Sequence, residues 1–203
     1  MPRKYTKEFT VYKYNELSED SKEKVKQWLL DDDLRNELLH EDITEDLKYL
    51  FPKSELKVHY SLEYCQGDGL NVEGKLSLYD IINKLKYTDK EKRTLKFYFD
   101  NSENSYTFES NRRDGYSCKF IDRKFIGDAA NESVEELQSR AFKNINKSLL
   151  TNFYDDMLDY FEKYESKWED IGYKYLYEIS DEEAEEECNA NDYEFFADGR
   201  CDW

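Results

Sequence analysis

Between residues 133 and 171 the chain carries neither glycine nor proline. Leu137, Ala141, Ile145, Leu149, Phe153, Met157, Tyr160, Phe161, Tyr164 and Trp168 recur there mostly at three- and four-residue spacings. Side chains so spaced share one face of an α-helix, so the run predicts one very long helix, or two joined by a kink. Ser133, with Glu136 three residues on, matches a capping box at its start, and Gly172 marks the expected stop. A helix of that length needs a surface to pack on, and the remaining sequence supplies it.

Residues 7–14 alternate with period two and read as a strand. Ser18 is a good N-cap, Leu17 before it is placed to staple back, and Val25, Trp28 and Leu29 form an apolar stripe, which predicts a helix from about residue 19 to about 34. A second helix runs through Ile43, Leu47 and Leu50 and stops at Phe51-Pro52, because proline disfavours helix in the residue before it. Residues 56–65 and 70–77 read as strands joined by Gln66-Gly67-Asp68-Gly69, a strong hairpin signal. Residues 80–85 suggest a short helix. Leu95, Phe97 and Phe99, then Tyr106 and Phe108, then Tyr116, Cys118 and Phe120 alternate as a meander would. Ser180 and Glu183 form a second capping box for a helix over 181–188, followed by a short closing strand over 193–197 and a turn at Asp198-Gly199.

Seven glycines and two prolines are too few for a sandwich or barrel with many tight turns. The expectation is one α+β domain over residues 1–203: a small antiparallel sheet of about five strands packed with helices on one face. Within it, residues 1–132 would hold the mixed sheet and helices, and 133–203 the long acidic helix and an acidic C-terminal segment. Aromatics make up 16% of the chain, with 18 Tyr and 12 Phe, which separates it from disordered acidic sequences.

Several function classes are disfavoured. Cys65, Cys118, Cys188 and Cys201 are widely spaced with no C-x-x-C pattern, so they read as reduced thiols rather than a disulfide framework or zinc site. His40 and His59 are the only histidines, which leaves little room for a triad or a histidine metal centre. No apolar run resembles a signal peptide or a membrane span, so the expected setting is intracellular and soluble. No cofactor, metal or catalytic residue is called for, and the expected protein is a binder rather than an enzyme.

The net charge of −17 is unevenly distributed. Residues 155–203 hold 18 Asp or Glu against 4 Lys or Arg, or −14, whereas residues 1–154 hold 29 against 26, or −3. Asp155, Asp156, Asp159, Glu162 and Glu165 on the long helix, and Asp181, Glu182, Glu183, Glu185, Glu186 and Glu187 on the next, are the candidate partner-binding residues. Rows of carboxylates can occupy a basic channel built for nucleic acid; the plain alternative is a solvated acidic face. Like-charge crowding opposes helix formation, so some compensation is expected.

Other features have plain readings beside functional ones. Gln66-Gly67-Asp68-Gly69 is turn chemistry or a ligand contact at a hairpin tip. His59 has no nominated nucleophile. Asp31-Asp32-Asp33 is a solvated helix end or the seed of a Mg²⁺ site. Residues 84–124 hold 11 Lys or Arg and 7 Asp or Glu, or +4. There Lys90, Lys92, Arg93, Lys96, Arg112, Arg113, Arg123 and Lys124, with Tyr98, Tyr106 or Tyr116, either balance the acidic helix, touch nucleic acid, or form the surface of a head-to-tail homodimer. Direct nucleic-acid binding and membrane binding are not expected. The stripe of Phe153, Tyr160, Phe161, Tyr164 and Trp168 reads as core.

The order of motifs resembles a known group. YKYNELSEDSKEKVKQWL near the start, HYSLEYCQGDGLNVEG, a long helix, and YLYEISDEEAEEECNANDYEFFADGR at the end are similar to a widespread family of uncharacterised accessory proteins of bacteriophages and prophages. Residues 14–19, 64–69 and 191–199 carry the resemblance; residues 85–130 do not match it. The resemblance brings no activity that carries over residue by residue. It implies a small intracellular protein of a mobile element. Acidic phage accessory proteins in turn resemble antagonists of host defence, such as anti-CRISPR or antirestriction proteins, an analogy of context rather than of site. The functional expectation is an anti-CRISPR-type inhibitor, in the bacterial cytoplasm, that binds the basic nucleic-acid channel of a host CRISPR effector nuclease. The alternative is an antitoxin-like or regulatory partner of another basic protein.

Overall fold

The computed structural model describes residues 8–31, 34–65, 67–100, 106–112, 120–127 and 147–201. Its elements are α1 (Glu19–Leu30), α2 (Leu34–Leu50), β1 (Glu55–Ser61), β2 (Gly69–Leu76), α3 (Leu78–Lys84), α4 (Asp89–Asp100), β3 (Tyr106–Arg112), β4 (Phe120–Gly127), α5 (Lys147–Tyr177) and α6 (Asp181–Ala190). Helices with one antiparallel sheet make it α+β. The chain divides into two compact units, Met1–Leu38 with Tyr173–Trp203, and Leu39–Gly172. The division suggested by sequence, at residue 133, lies outside the described residues.

The first unit joins the two ends of the chain. Ser18 caps α1, its Oγ accepting from Ser21 N at 3.3 Å, with Glu19 and Asp20 in the first turn where the helix dipole favours acids. Ser21, Val25 and Leu29 then fall on one buried face. Val25 and Leu29 pack in a core with Tyr14, Leu17, Ala184, Cys188 and Phe195, flanked by Trp28, Tyr193 and Cys201. Trp28 meets the rings of Tyr193 and Phe195 edge-on at 5.1 and 6.1 Å. Tyr12 and Phe195 exchange two backbone hydrogen bonds of 2.8 and 2.9 Å, and Ser21 Oγ donates to Ala197 O at 2.7 Å. A Cβ at Gly199 would stand 2.7 Å from Ser21 O, and its φ of +87° is open to glycine, so this position accepts nothing else without movement.

In the second unit β1 and β2 pair from Glu55↔Lys75 to Ser61↔Gly69, and β2, β3 and β4 continue the antiparallel sheet in the order β1-β2-β3-β4. Val58, Leu70, Val72 and Leu76 are buried, as are Phe153, Met157 and Phe161 of α5. Phe51 stacks on Phe161 at 5.3 Å and meets Tyr160 edge-on at 6.0 Å, so the residue before Pro52 ends α2 and anchors the core at once. The buried Asp80 carboxylate accepts from Lys53 N and Ser54 Oγ, both at 2.8 Å, and ties α3 to the turn after α2.

Five expectations are corrected. The described sheet has four strands where about five were expected, and side chains are described only for β1 and β2. Where strands were expected over 7–14 and 193–197, the described residues make only isolated bridges, Tyr12 with Phe195 and Phe195 with Cys201, and the chain turns into a 3₁₀ helix at Tyr14–Glu16. Leu95, Phe97 and Phe99 lie on a helix. Thr88 caps α4, with its N–H donating to the Glu91 carboxylate at 2.9 Å and its Oγ1 accepting from Glu91 N at 3.3 Å. This splits the apparent alternation, leaving Leu95 buried and Phe97 exposed. Gly172 lies inside α5, which runs on to Tyr177. A Cβ there would stand 2.5 Å from Leu62 Cδ1, so its glycine serves a close approach rather than a stop. The first predicted helix also ends early, at Leu30. Ser133, Glu136, Tyr116 and Cys118 lie outside the described residues.

Candidate acidic interaction surfaces

On α5 the carboxylates divide between inward and outward tasks. Glu165 is buried at 6% exposure, and its Oε1 accepts from the buried Val72 N at 2.8 Å. The β2–β3 pairing begins only at Gly74, so Glu165 supplies the acceptor that a neighbouring strand would. It is therefore a structural residue, and its place among partner-binding candidates is corrected. Asp156 accepts from the Tyr87 hydroxyl, whose pKa is raised by burial first and the Asp156 hydrogen bond second. Asp159 pairs with Lys163 at 2.5 Å one turn on. Asp155 and Glu162 are exposed. The aromatic stripe is core in Phe153, Phe161 and Tyr164 and half-buried in Tyr160 and Trp168; the Trp168 indole N–H donates to Asp46 at 3.0 Å.

On α6 most carboxylates also hold the unit together. The Ser180–Glu183 capping box forms as predicted, with Ser180 N donating to Glu183 Oε2 at 2.8 Å and Glu183 N to Ser180 Oγ at 3.2 Å. The Ser180 backbone bond holds the Glu183 carboxyl below its usual range. Asp181 accepts from Lys26 at 3.0 Å and from the Tyr14 hydroxyl at 3.1 Å. Lys26, then Tyr14, lowers the Asp181 pKa, while burial, then Asp181, raises that of the Tyr14 phenol. Glu185 accepts from Asn15 at 3.0 Å, and Glu187 pairs with Arg35 at 3.7 Å. Arg35 also donates to Tyr175 O and lies over the Tyr175 ring, 4.6 Å from its centroid. Ala184 and Cys188 are buried, and Glu182 and Glu186 lie on the opposite, exposed face.

The basic residues of this unit are largely engaged. Lys13 pairs with Asp192 and Glu194, Lys22 with Glu19, Lys26 with Glu23 and Asp181, Arg35 with Glu187, and Arg200 with Asp198. Among the described residues no ion pair reaches Glu182 or Glu186. The compensation that like-charge crowding demands is thus internal for Asp181, Glu183, Glu185 and Glu187, and lacking for this pair.

The remaining candidates resolve locally. Asp68 is the organising group of the hairpin loop, accepting from Glu63 N at 2.7 Å and Cys65 N at 2.9 Å. His59 Nε2 lies 2.9 Å from Glu73 Oε1 across the β1–β2 ladder. Asp31 is the C-cap of α1 and accepts from Gln27, while Asp32 and Asp33 lie outside the described residues. Lys92 and Lys96 donate to Asn83, and Arg93 to Asp89 O. Arg112, Arg123 and Lys124 lie on β3 and β4, and Arg113 is outside the described residues. Cys188 is buried, which pushes its thiol up to about 11. Among the described residues, no group of three His, Cys, Asp or Glu side chains converges as metal ligands, and no helix is long and apolar enough to cross a membrane. Sequence reasoning missed the structural roles of Glu165, Asp80 and Arg35, whose partners lie 93, 27 and 140 residues away. The chain matches no protein-family model, no curated protein and no solved structure.

Proposed function

We propose that this protein is a phage-encoded inhibitor of a host defence nuclease, of the anti-CRISPR type. It acts in the cytoplasm of the host bacterium through an acidic surface that competes with nucleic acid for a basic channel. The observation that supports the reading is the pair Glu182 and Glu186, exposed on α6 while Lys13, Lys22, Lys26, Arg35 and Arg200 of the same unit are held in other ion pairs. Such a face keeps a negative field that its own unit does not cancel, and a lysine- and arginine-lined channel supplies the missing counter-charge. In the second unit Asp155 and Glu162 are exposed as well, and Glu165 is buried. Opposed fields give fast, salt-sensitive association. The test is target-DNA cleavage by a panel of purified CRISPR effector nucleases, with and without the protein, at two salt concentrations. Inhibition that weakens at high salt is expected. Inhibition of no panel member would replace this reading with a binding partner of another basic protein, sought by pull-down from host lysate.

A further inference from the structure

We propose that α4 carries a basic docking surface, centred on Lys90 and Arg93, for the acidic α6 face of a second copy of this chain. The inference goes beyond the function proposed above and stands without it, although a head-to-tail contact of this kind covers the same α6 face.

Residues 84–97 hold six Lys or Arg against two Asp or Glu, or +4, in a chain of −17. Sequence alone leaves three uses open for them: balance against the acidic helix, contact with nucleic acid, or self-association. The fold around α4 separates these. Thr88 caps the helix and Leu95 is buried, so Lys90 and Arg93, three residues apart, fall together on the outward face, and both are exposed. Lys92 and Lys96 turn toward α3, where they donate to Asn83 O at 3.5 Å and to Asn83 Oδ1 at 3.1 Å. Arg93 Nε donates to the Asp89 backbone carbonyl at 3.2 Å. Lys84, the last residue of α3, and Lys86 are exposed as well. Among the described residues the ion pairs of this unit are His59–Glu73 and Lys163–Asp159, so none of the six cations has a carboxylate in contact. The acidic helix does not balance them: its Asp156 carboxylate accepts from the Tyr87 hydroxyl instead.

The remaining two uses differ in how far the partner's charge extends. Phosphates recur along the whole of a nucleic-acid strand, and a net charge of −17 opposes so long a polyanion. A short acidic face engages the patch alone. The chain itself offers one, because Glu182 and Glu186 on α6 are exposed and, among the described residues, reached by no ion pair. Side chains three or four apart on a helix stand about 5–6 Å apart at Cβ. The cation pair of α4 and the carboxylate pair of α6 therefore match in spacing as well as in sign. The contact joins two different surfaces, so assembly runs head to tail.

Sedimentation velocity of the full chain, over a concentration series at low and high salt, tests this. The average mass is expected to rise with concentration at low salt and to fall back toward the monomer at high salt. Lys90→Glu with Arg93→Glu, and separately Glu182→Lys with Glu186→Lys, should each weaken self-association at least about tenfold. Mixing the two variants should restore association, since the reversed charges then face each other. Where a reversed variant does not fold, the neutral pairs Lys90→Gln with Arg93→Gln and Glu182→Gln with Glu186→Gln repeat the losses. A wild type that stays monomeric at low salt overturns the proposal, as does self-association that survives in either folded variant, or two folded variants that stay apart when mixed. Binding of a single-stranded oligonucleotide that is lost in Lys90→Glu with Arg93→Glu would overturn it too, by giving the patch a nucleic-acid partner. A self-associating protein that inhibits no nuclease counts against the function proposed above and not against this contact; a monomeric inhibitor does the reverse.

Discussion

The acids of α5 and those of α6 look alike in sequence and do different work. On α5 the residue at the heart of the series, Glu165, faces inward and replaces a strand partner for Val72. On α6 Asp181, Glu183 and Glu187 bind the helix to its own unit at its margins, and Glu182 and Glu186 alone keep a fully outward face. The lesson is that counting carboxylates overstates an acidic surface. What remains for a partner is what is left after caps, ion pairs and backbone donors have been satisfied.

The sharpest way to break that contrast is at Glu165. Glu165→Ala leaves a buried N–H without an acceptor and should cost about 1–3 kcal/mol, the range for a buried donor left unsatisfied. Glu165→Gln keeps an oxygen acceptor and should cost less. Urea denaturation decides: if both variants match wild type, Glu165 is not structural and returns to the partner-facing set.

Next comes the α6 cap. Ser180→Ala removes the acceptor for Glu183 N and should cost about 1 kcal/mol. In the same unit, the Asp181 pKa is lowered when folded, so its contribution is present above the ordinary carboxylate range and lost as pH falls through the lowered value. Stability should therefore drop on acidification into and below that range. Asp181→Asn should flatten part of the drop, read as the change in melting temperature across a pH series. An unchanged slope would mean that the Lys26 and Tyr14 contacts contribute nothing.

Much of this architecture was legible because it is decided within three or four residues. Ser18 and Ser180 sit at real helix starts, Phe51-Pro52 at a real stop, and Gly67-Asp68 in a real hairpin loop ahead of Gly69. Where the deciding contact is remote, local pattern misled. The residues around Tyr12 look like a strand but pair only at one point with Phe195, 183 positions on. Leu95, Phe97 and Phe99 show period two, yet the Thr88–Glu91 cap overrides it. Gly172 reads as a helix terminator until Leu62, 110 residues earlier, is found against it. Gly172→Ala weighs these two effects. Alanine favours helix by about 0.5–1 kcal/mol over glycine, but overpacking against Leu62 should cost about 1–3 kcal/mol, so a net loss of about 1 kcal/mol is expected in urea. A gain would show that Leu62 yields easily. Within the candidate site, sequence placed the acids but could not sort them, since the sorting partners Tyr14, Lys26, Arg35 and Val72 all lie far away in the chain.

The smallest expected effect on stability carries the largest functional consequence. Glu182 and Glu186 are one turn apart on the exposed face of α6, where like charges oppose the helix by a few tenths of a kcal/mol. Glu182→Gln with Glu186→Gln should leave the protein as stable as wild type or slightly more so. The cap, the Asp181 and Glu187 pairs and the buried Ala184 and Cys188 are all untouched. If the acidic face meets a basic channel, the same double variant should lose at least tenfold in inhibition of a susceptible nuclease, and the residual inhibition should depend less on salt. The contrast variant is Asp155→Gln with Glu162→Gln on α5. Equal losses from both pairs would give each of the two helices a part in inhibition. A loss confined to α6 would give that helix the recognition role. Unchanged inhibition in both folded double variants would remove these carboxylates from the mechanism.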